Sequence, residues 1–355
     1  MQRDQLISPE TPFAVLDMAT FESNLARGKA FAEELGVSQR PHCKTHKIPK
    51  LAQIQQKYGA QGITLATIGE AEVFVENGLL DVFIAYPIWP TVTKKARLAK
   101  LAEKAKIRIG VDSHEAIQGW MGLASVGVMV EINSGHNRSG CNPRQAGELA
   151  EAIVKAGLRF DGVFTYPGHS YHPDKREKAS LDEAEALRIA LDSVATVSLE
   201  AKIVSGGSTP SWRTTSNLLT EMRQGVYPFN DAQQIELGNC GFEDVSFWIV
   251  ATVVSKSGQK VVLDAGSKAL GADKAAWASG YGRLLDFPDA VLTALSEHHV
   301  TAILPDGAEA PELGTQLRVL PNHVCNAFNL QDIVFPMRNS ELGEPMEVLA
   351  RSKNN

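Results

Sequence analysis

Short apolar runs alternate with amphipathic stretches over the first two thirds of the chain. Residues 13–17 read as a strand and residues 20–35 as a helix. Eight more strand-like runs follow, at 40–45, 62–67, 81–86, 107–112, 126–132, 160–166, 201–205 and 222–227, mostly with helical connectors between them. Several are almost continuously apolar, as strands buried on both faces must be. Eight parallel strands joined by crossover helices predict an α/β chain with a (β/α)8, TIM-like barrel. Near residue 230 the rhythm changes. Residues 247–255 and 259–264 predict a hairpin across Lys256-Ser257-Gly258, and 317–320 and 332–335 predict further strands without long helices between them. The expected division is a barrel over 18–235 and a mainly antiparallel β domain made of 1–17 plus 236–355.

Composition fits this picture. The 355 residues, 44% of them hydrophobic, suffice for a large core and a second domain. A net charge of −6 argues against nucleic acid as the partner. No apolar run approaches the roughly eighteen residues of a membrane span, and no signal-peptide core opens the chain. Cys43, Cys141, Cys240 and Cys325 are scattered, without a CxxC pair. They suit free thiols in a reducing cytoplasm.

Barrel enzymes carry their chemistry at the C-terminal ends of the strands. The first barrel strand leads into Arg40-Pro41-His42-Cys43-Lys44-Thr45-His46-Lys47, with two lysines and two histidines in its last six residues. Crowded cations disfavour lysine protonation, and a neutral amine can condense with a carbonyl as a Schiff base. A solvated basic loop is the plain alternative. After the later strands come Arg138, then Tyr166, His169 and Tyr171, then Gly206-Gly207-Ser208-Thr209, then Gly225-Val226-Tyr227. The last two groups occupy the loops where barrels bind phosphate, and glycine lets backbone N–H groups approach an anion. Such glycines are equally ordinary turn residues. A reactive lysine facing a phosphate cradle is what pyridoxal 5′-phosphate requires. In the second domain, His323 and Cys325 stand two apart on a segment read as extended, which puts both side chains on one side. One borderline or soft divalent cation can touch both, with positions left for water and substrate.

The string 40–47 resembles the lysine motif of the D-threonine aldolase and D-serine dehydratase family, pyridoxal-phosphate enzymes of fold type III built like alanine racemase. The resemblance runs through Thr11-Pro12, Tyr166-Pro167-Gly168-His169-Ser170-Tyr171, Gly206-Gly207-Ser208-Thr209-Pro210, Arg223-Gln224-Gly225-Val226-Tyr227 and Asp264-Ala265-Gly266-Ser267-Lys268. Pro321-Asn322-His323-Val324-Cys325 is similar to the family's metal segment. The resemblance implies that Lys44 carries the cofactor and serves as base at Cα. It implies Arg138 near the phenolic oxygen, Tyr171 near the pyridine nitrogen with Tyr166 beside the cofactor, and the phosphate on residues 206–209 and 225–227. It implies a divalent metal (Mn, Mg or Zn) on His323 and Cys325, with His169 as a further base, and a homodimer.

The activity so implied is metal-assisted cleavage of D-3-hydroxy-α-amino acids to glycine and an aldehyde. Two alternatives stay open. One is a D-serine or 3-hydroxyaspartate dehydratase, which Cys325 favours while Gly168-His169 favours the aldolase. The other is a non-catalytic carrier of the cofactor, which needs neither the second domain nor the His–Cys pair.

Overall fold

The structure, a computed structural model, describes residues 9–214 and 216–355. Residues 1–8, expected with the β domain, lie outside the described residues. Backbone contacts divide the chain into two compact units, one of residues up to 23 with 228–348 and one of 24–227 with 349–355. The division falls inside a helix and after Tyr227, where sequence had placed it at 17/18 and 235/236.

The chain opens with β1 (Phe13–Asp17) and α1 (Met18–Leu35). The barrel unit carries eight strands: β2 (Ser38–Gln39), β3 (Ile63–Leu65), β4 (Asp81–Pro87), β5 (Lys106–Val111), β6 (Gly127–Ile132), β7 (Arg159–Thr165), β8 (Ile203–Gly206) and β9 (Glu221–Met222). All pair in parallel, in the order β2-β9-β8-β7-β6-β5-β4-β3. Gln61 N donates to Gln39 O at 2.9 Å and Thr64 N to Pro41 O at 2.9 Å, which joins the two ends of that order. The crossovers are α2 (Pro49–Lys57), α3 (Ile68–Glu76), α4 (Val92–Ala102), α5 (His114–Trp120), α6 (Ala146–Lys155) and α7 (Arg176–Thr196). Thr67, Thr91 and Ser113 each cap the helix that follows by accepting a backbone N–H three residues on. Strands and helices bury one core between them, with Trp120, Phe74 and Leu187 inaccessible to solvent.

Inside the ring the side chains form layers. Arg40 bridges Glu221 at 2.7 Å and Asp81 at 2.6 Å, and Arg108 bridges Asp81 at 2.8 Å and Asp161 at 3.1 Å. These buried charges are tolerable because each is paired. Next come Phe83, Met129 and Phe164, the two rings edge-on at 5.0 Å. The Arg223 guanidinium lies over both rings, at 5.6 and 5.3 Å. The last residues also belong here: Ala350 is fully buried in the barrel core and its N–H donates to Lys47 O at 3.1 Å. That tail had been expected with the β domain, because an irregular segment has no periodicity to reveal what it packs on.

The β unit continues with α8 (Ala232–Glu236), β10 (Phe247–Ser257), β11 (Lys260–Leu263), α9 (Ser267–Leu270), β12 (Arg283–Leu284), β13 (Val291–Leu295), β14 (Val300–Ile303), β15 (Gln316–Leu320), α10 (Val324–Leu330), β16 (Ile333–Arg338), β17 (Glu341–Leu342) and β18 (Met346–Glu347). The main path is β13-β14-β11-β10-β1-β16-β17. Pairing is antiparallel except for β1 with β16. β1 therefore sits mid-sheet, and Phe13, Val15, Trp248 and Leu320 form a core with Ala232 and Val245. The barrel and the mainly antiparallel sheet are the fold class read from the sequence.

Candidate active site

The lysine string leaves β2 and tightens into a 3-10 turn, Cys43–Thr45, which His42 caps through its ring at 3.4 Å from Lys44 N. The crowd of cations expected there is thinner than it looked. His46 is buried, bonded to Gln55 at 3.2 Å, and burial pushes it down to about 4. His42 is also held well below the usual imidazole range, first by desolvation, then by the positive charges of Lys44, Arg223 and Arg138. Both rings are thus neutral at pH 7. Lys47 is buried against Glu70, at 3.2 Å. Lys44 lines an open cavity of about 530 Å3 together with His42, Tyr86, Asp112, Arg138, Tyr166 and Arg223. Its cationic company is two arginines, not two histidines.

Arg138 stands over the Tyr166 ring at 5.2 Å, and His136 meets that ring edge-on at 5.5 Å. Arg223 reaches the cavity from below, anchored to Thr165 O at 2.6 Å and Ser205 Oγ at 2.8 Å. Next to Tyr166 the chain makes a second 3-10 turn, Gly168–Tyr171. His169 Nε2 is 3.2 Å from Asp182 Oδ2, and its buried Nδ1 has no hydrogen-bond partner among the described residues. Tyr171 occupies the end of that turn and is absent from the cavity lining.

The two glycine turns are present but not wholly available to an anion. Gly207 N donates to Glu183 Oε1 at 2.8 Å, and Val226 N donates to Thr209 Oγ1 at 3.2 Å. Ser208 Oγ is bonded to Ser170 and Ser211, both at 2.8 Å. The backbone N–H groups of Thr209 and Gly225 meet no acceptor among the described residues. A Cβ on Gly225 would stand 2.8 Å from Thr45 Oγ1 and 2.9 Å from His42 O, so only glycine allows this turn to lie against the lysine loop. Tyr227 is buried beneath, close to Trp212 at 6.0 Å between ring centroids. A lysine, two arginines and orphan N–H donors beside the lysine loop suit a phosphorylated aldehyde.

The alanine racemase N-terminal domain family matches residues 16–232, and the putative serine dehydratase domain matches residues 246–336. A D-threonine aldolase of Arthrobacter sp. is 34% identical, over 98% of this chain and 94% of its own. The D-threo-3-hydroxyaspartate dehydratase of Delftia sp. (strain HT23) is 33% identical, over 91% of this chain and 93% of its own. The crystal structure of D-threonine aldolase from Filomicrobium marinum superposes with a TM-score of 0.88 at 30% identity, covering 96% of each chain. The chain belongs to the D-threonine aldolase and D-serine dehydratase family. It is a lyase of the fold-type III pyridoxal-phosphate class. Two structures of a D-threo-3-hydroxyaspartate dehydratase, each with a TM-score of 0.88 at 29% identity, have alanine for a histidine and for a cysteine two positions later, the second in the metal-free form.

The segment expected to hold the metal lies in the β unit, and its local structure differs from the sequence expectation. Cys325 is the second residue of the helix α10, not part of an extended run. Residues two apart on a helix do not face one way. His323 is the cap before that helix, with extended φ −132° and ψ 109°, and this bend brings its ring within hydrogen-bonding reach of Cys325. One nitrogen and one sulfur donor suit a borderline cation such as zinc. No group of three His, Cys, Asp or Glu side chains that could hold a metal occurs among the described residues, so a metal at this segment would have two protein donors, His323 and Cys325.

Arg223 and Glu183 were not among the candidates chosen from sequence. Arg223 was seen only as one letter of a string assigned to a strand; the strand ends at Met222, and the residue after a barrel strand was the signal to follow. Glu183 lies on a helix face with no motif around it.

Proposed function

We propose that the protein cleaves D-3-hydroxy-α-amino acids between Cα and Cβ by a retro-aldol reaction, giving glycine and an aldehyde, with pyridoxal 5′-phosphate and a divalent metal as cofactors. The observation that carries the reading is Lys44 on the cavity wall with two arginines and a neutral His42 around it. Pyridoxal phosphate, when bound, supplies an electron sink for the bond broken at Cα. Lys44 holds it and exchanges a proton at Cα. Arg138 takes the phenolic oxygen, Tyr166 packs beside it, and Tyr171 serves the ring nitrogen. The phosphate falls to Ser208 and the N–H groups of Thr209 and Gly225, with Gly206, Gly207, Val226 and Tyr227 shaping the turns. His169, oriented by Asp182, is the base proposed for the proton of the 3-hydroxyl. His323 and Cys325 would hold the divalent metal, which would supply Lewis-acid charge for a developing alkoxide.

A dehydratase reading has one specific support: His323 and Cys325 have the same spacing as the histidine and cysteine replaced by alanine in the D-threo-3-hydroxyaspartate dehydratase structures. In that reaction Lys44 takes the Cα proton and the 3-hydroxyl leaves. Incubation with D-threonine, D-serine and D-threo-3-hydroxyaspartate separates the readings. Glycine plus aldehyde supports the aldolase, keto acid plus ammonia the dehydratase, and no product from any of them overturns both.

The reading brings with it a homodimer, the assembly implied by the family resemblance. It also brings a cytoplasmic setting, supported by four cysteines scattered along the chain without a CxxC pair. Among the described residues no helix is long and apolar enough to cross a membrane.

A further inference from the structure

A buried carboxylate stands directly behind the metal segment. Asp231 is wholly inaccessible to solvent. Its Oδ1 accepts from Gln234 N at 2.9 Å and so caps α8. Its Oδ2 accepts from Val324 N, the first residue of α10, at 3.1 Å, and lies 3.3 Å from His323 Nδ1. Two backbone bonds reinforce the junction: Ala232 N donates to Pro321 O at 3.1 Å and Gln233 N to Asn322 O at 3.3 Å. The Asn322 side chain donates to Gly280 O at 2.9 Å. The segment holding His323 is therefore clamped to the start of α8, across about ninety residues of sequence, and Asp231 is the side chain there that reaches the imidazole.

Imidazole has two nitrogens, and the partner of one decides the state of the other. A carboxylate at Nδ1 demands a proton there. That leaves the Nε2 lone pair for a cation and strengthens it as a donor, the arrangement by which carboxylates orient metal-binding histidines. No group of three His, Cys, Asp or Glu side chains placed to hold a metal occurs among the described residues, so Asp231 is assigned to the ring and not to the metal. We infer that Asp231 is a positioning residue: it fixes His323 as the Nδ1–H tautomer and presents Nε2, beside Cys325, to a divalent transition metal. The inference rests on the metal reading of His323 and Cys325 given above.

The test uses the full-length chain and the variants Asp231→Asn, Asp231→Ser and His323→Ala. Asn and Ser both remain good helix caps, so α8 keeps its start while the carboxylate is withdrawn. An Asn amide also turns a donor towards Val324 N and His323 Nδ1, which favours the wrong tautomer. Nitrogen-15 imidazole spectra of the Zn2+-loaded protein read which ring nitrogen keeps its proton, and Zn2+ and Co2+ affinities come from competition with a chromophoric chelator. The expected result is an Nδ1–H ring in the wild type, lost in both Asp231 variants, with affinity falling by about 10- to 100-fold at a near-native melting temperature. An unchanged tautomer, or affinity within about twofold of wild type in a folded Asp231 variant, overturns the role given to Asp231. If His323→Ala binds metal as tightly as wild type, the metal reading itself falls, and the two failures are thereby distinguished.

Discussion

Lys47 Nζ lies 3.2 Å from Glu70 Oε1, and both side chains are nearly inaccessible. The lysine also donates to Asn354 Oδ1 at 3.0 Å, and Glu70 Oε2 accepts from Ala66 N at 2.7 Å. Three residues away, Lys44 opens onto the cavity. Two lysines of one motif thus have separate tasks, one structural and one chemical. Removing one partner of a buried pair leaves the other charge uncompensated. Lys47→Ala should destabilise the barrel by roughly 3–5 kcal/mol in urea titration, and Lys47→Ala with Glu70→Gln should recover much of that loss. A Lys47→Ala protein as stable as wild type would show that the pair holds nothing together.

Lys44→Ala should give the opposite phenotype. The side chain is half-exposed on a cavity wall, so its removal costs little stability. Cofactor absorbance in the visible and turnover should both vanish, turnover by on the order of 10³-fold or more, as for loss of a positioned base. Borohydride reduction followed by peptide mass spectrometry locates the modified lysine in the wild type. Modification of Lys47 in place of Lys44 would reverse the assignment.

The lysine motif was legible because several cations stand together after a strand, yet its electrostatics were not. Sequence counts His42 and His46 as potential charges; burial makes both neutral, and Glu70, twenty-three residues downstream of Lys47, cancels a third. The barrel was legible through its apolar runs. Its edges were not, because the expected strand 222–227 ends at Met222 and Arg223 turns inward to Thr165 and Ser205. In the second domain, β1, β10, β11, β15 and β16 were foreseen from their β-branched and aromatic residues. β12, β13, β14, β17 and β18 were not: β12, β17 and β18 have two residues each, and β13 keeps only Leu292 buried. The Asn322-His323-Val324-Cys325 run alternates polar and apolar and reads as a strand. Asn326, Ala327 and Phe328 then complete a helical turn, and local alternation loses to that.

Glu183 offers a pH signature. It is fully buried, its Oε1 accepts from Gly207 N, and its Oε2 has no hydrogen-bond partner among the described residues. Burial raises its pKa from about 4.5 to about 7, against the smaller opposing pull of the Gly207 N–H and of Arg223. A carboxyl group whose folded pKa is raised contributes stability that is fully present below its unfolded pKa and is lost as pH rises through the folded one. From this residue, melting temperature should therefore fall between about pH 4.5 and pH 7. Glu183→Gln keeps an acceptor for Gly207 N and cannot ionise. Its melting temperature should stay level over that window where the wild type declines, measured by calorimetry at matched ionic strength. Parallel curves for the two proteins would mean that Glu183 is ionised throughout.

Chelation separates the two cofactors. The lysine cavity is lined entirely by the barrel unit, and His323 and Cys325 belong to the β unit. If each unit holds its own group, removing one should leave the other in place. EDTA dialysis should therefore abolish turnover while visible absorbance persists, and His323→Ala should do the same without a chelator. Zinc or manganese should restore the dialysed wild type but not His323→Ala. Cys325→Asp is the informative companion, because it trades a soft ligand for a hard one while keeping a negative charge. Zn2+ should bind it less well and Mn2+ relatively better, a shift readable by competition titration without any substrate. Turnover that survives exhaustive chelation would remove the metal from the reaction, and unaltered Zn2+ to Mn2+ preference in Cys325→Asp would remove Cys325 from the metal.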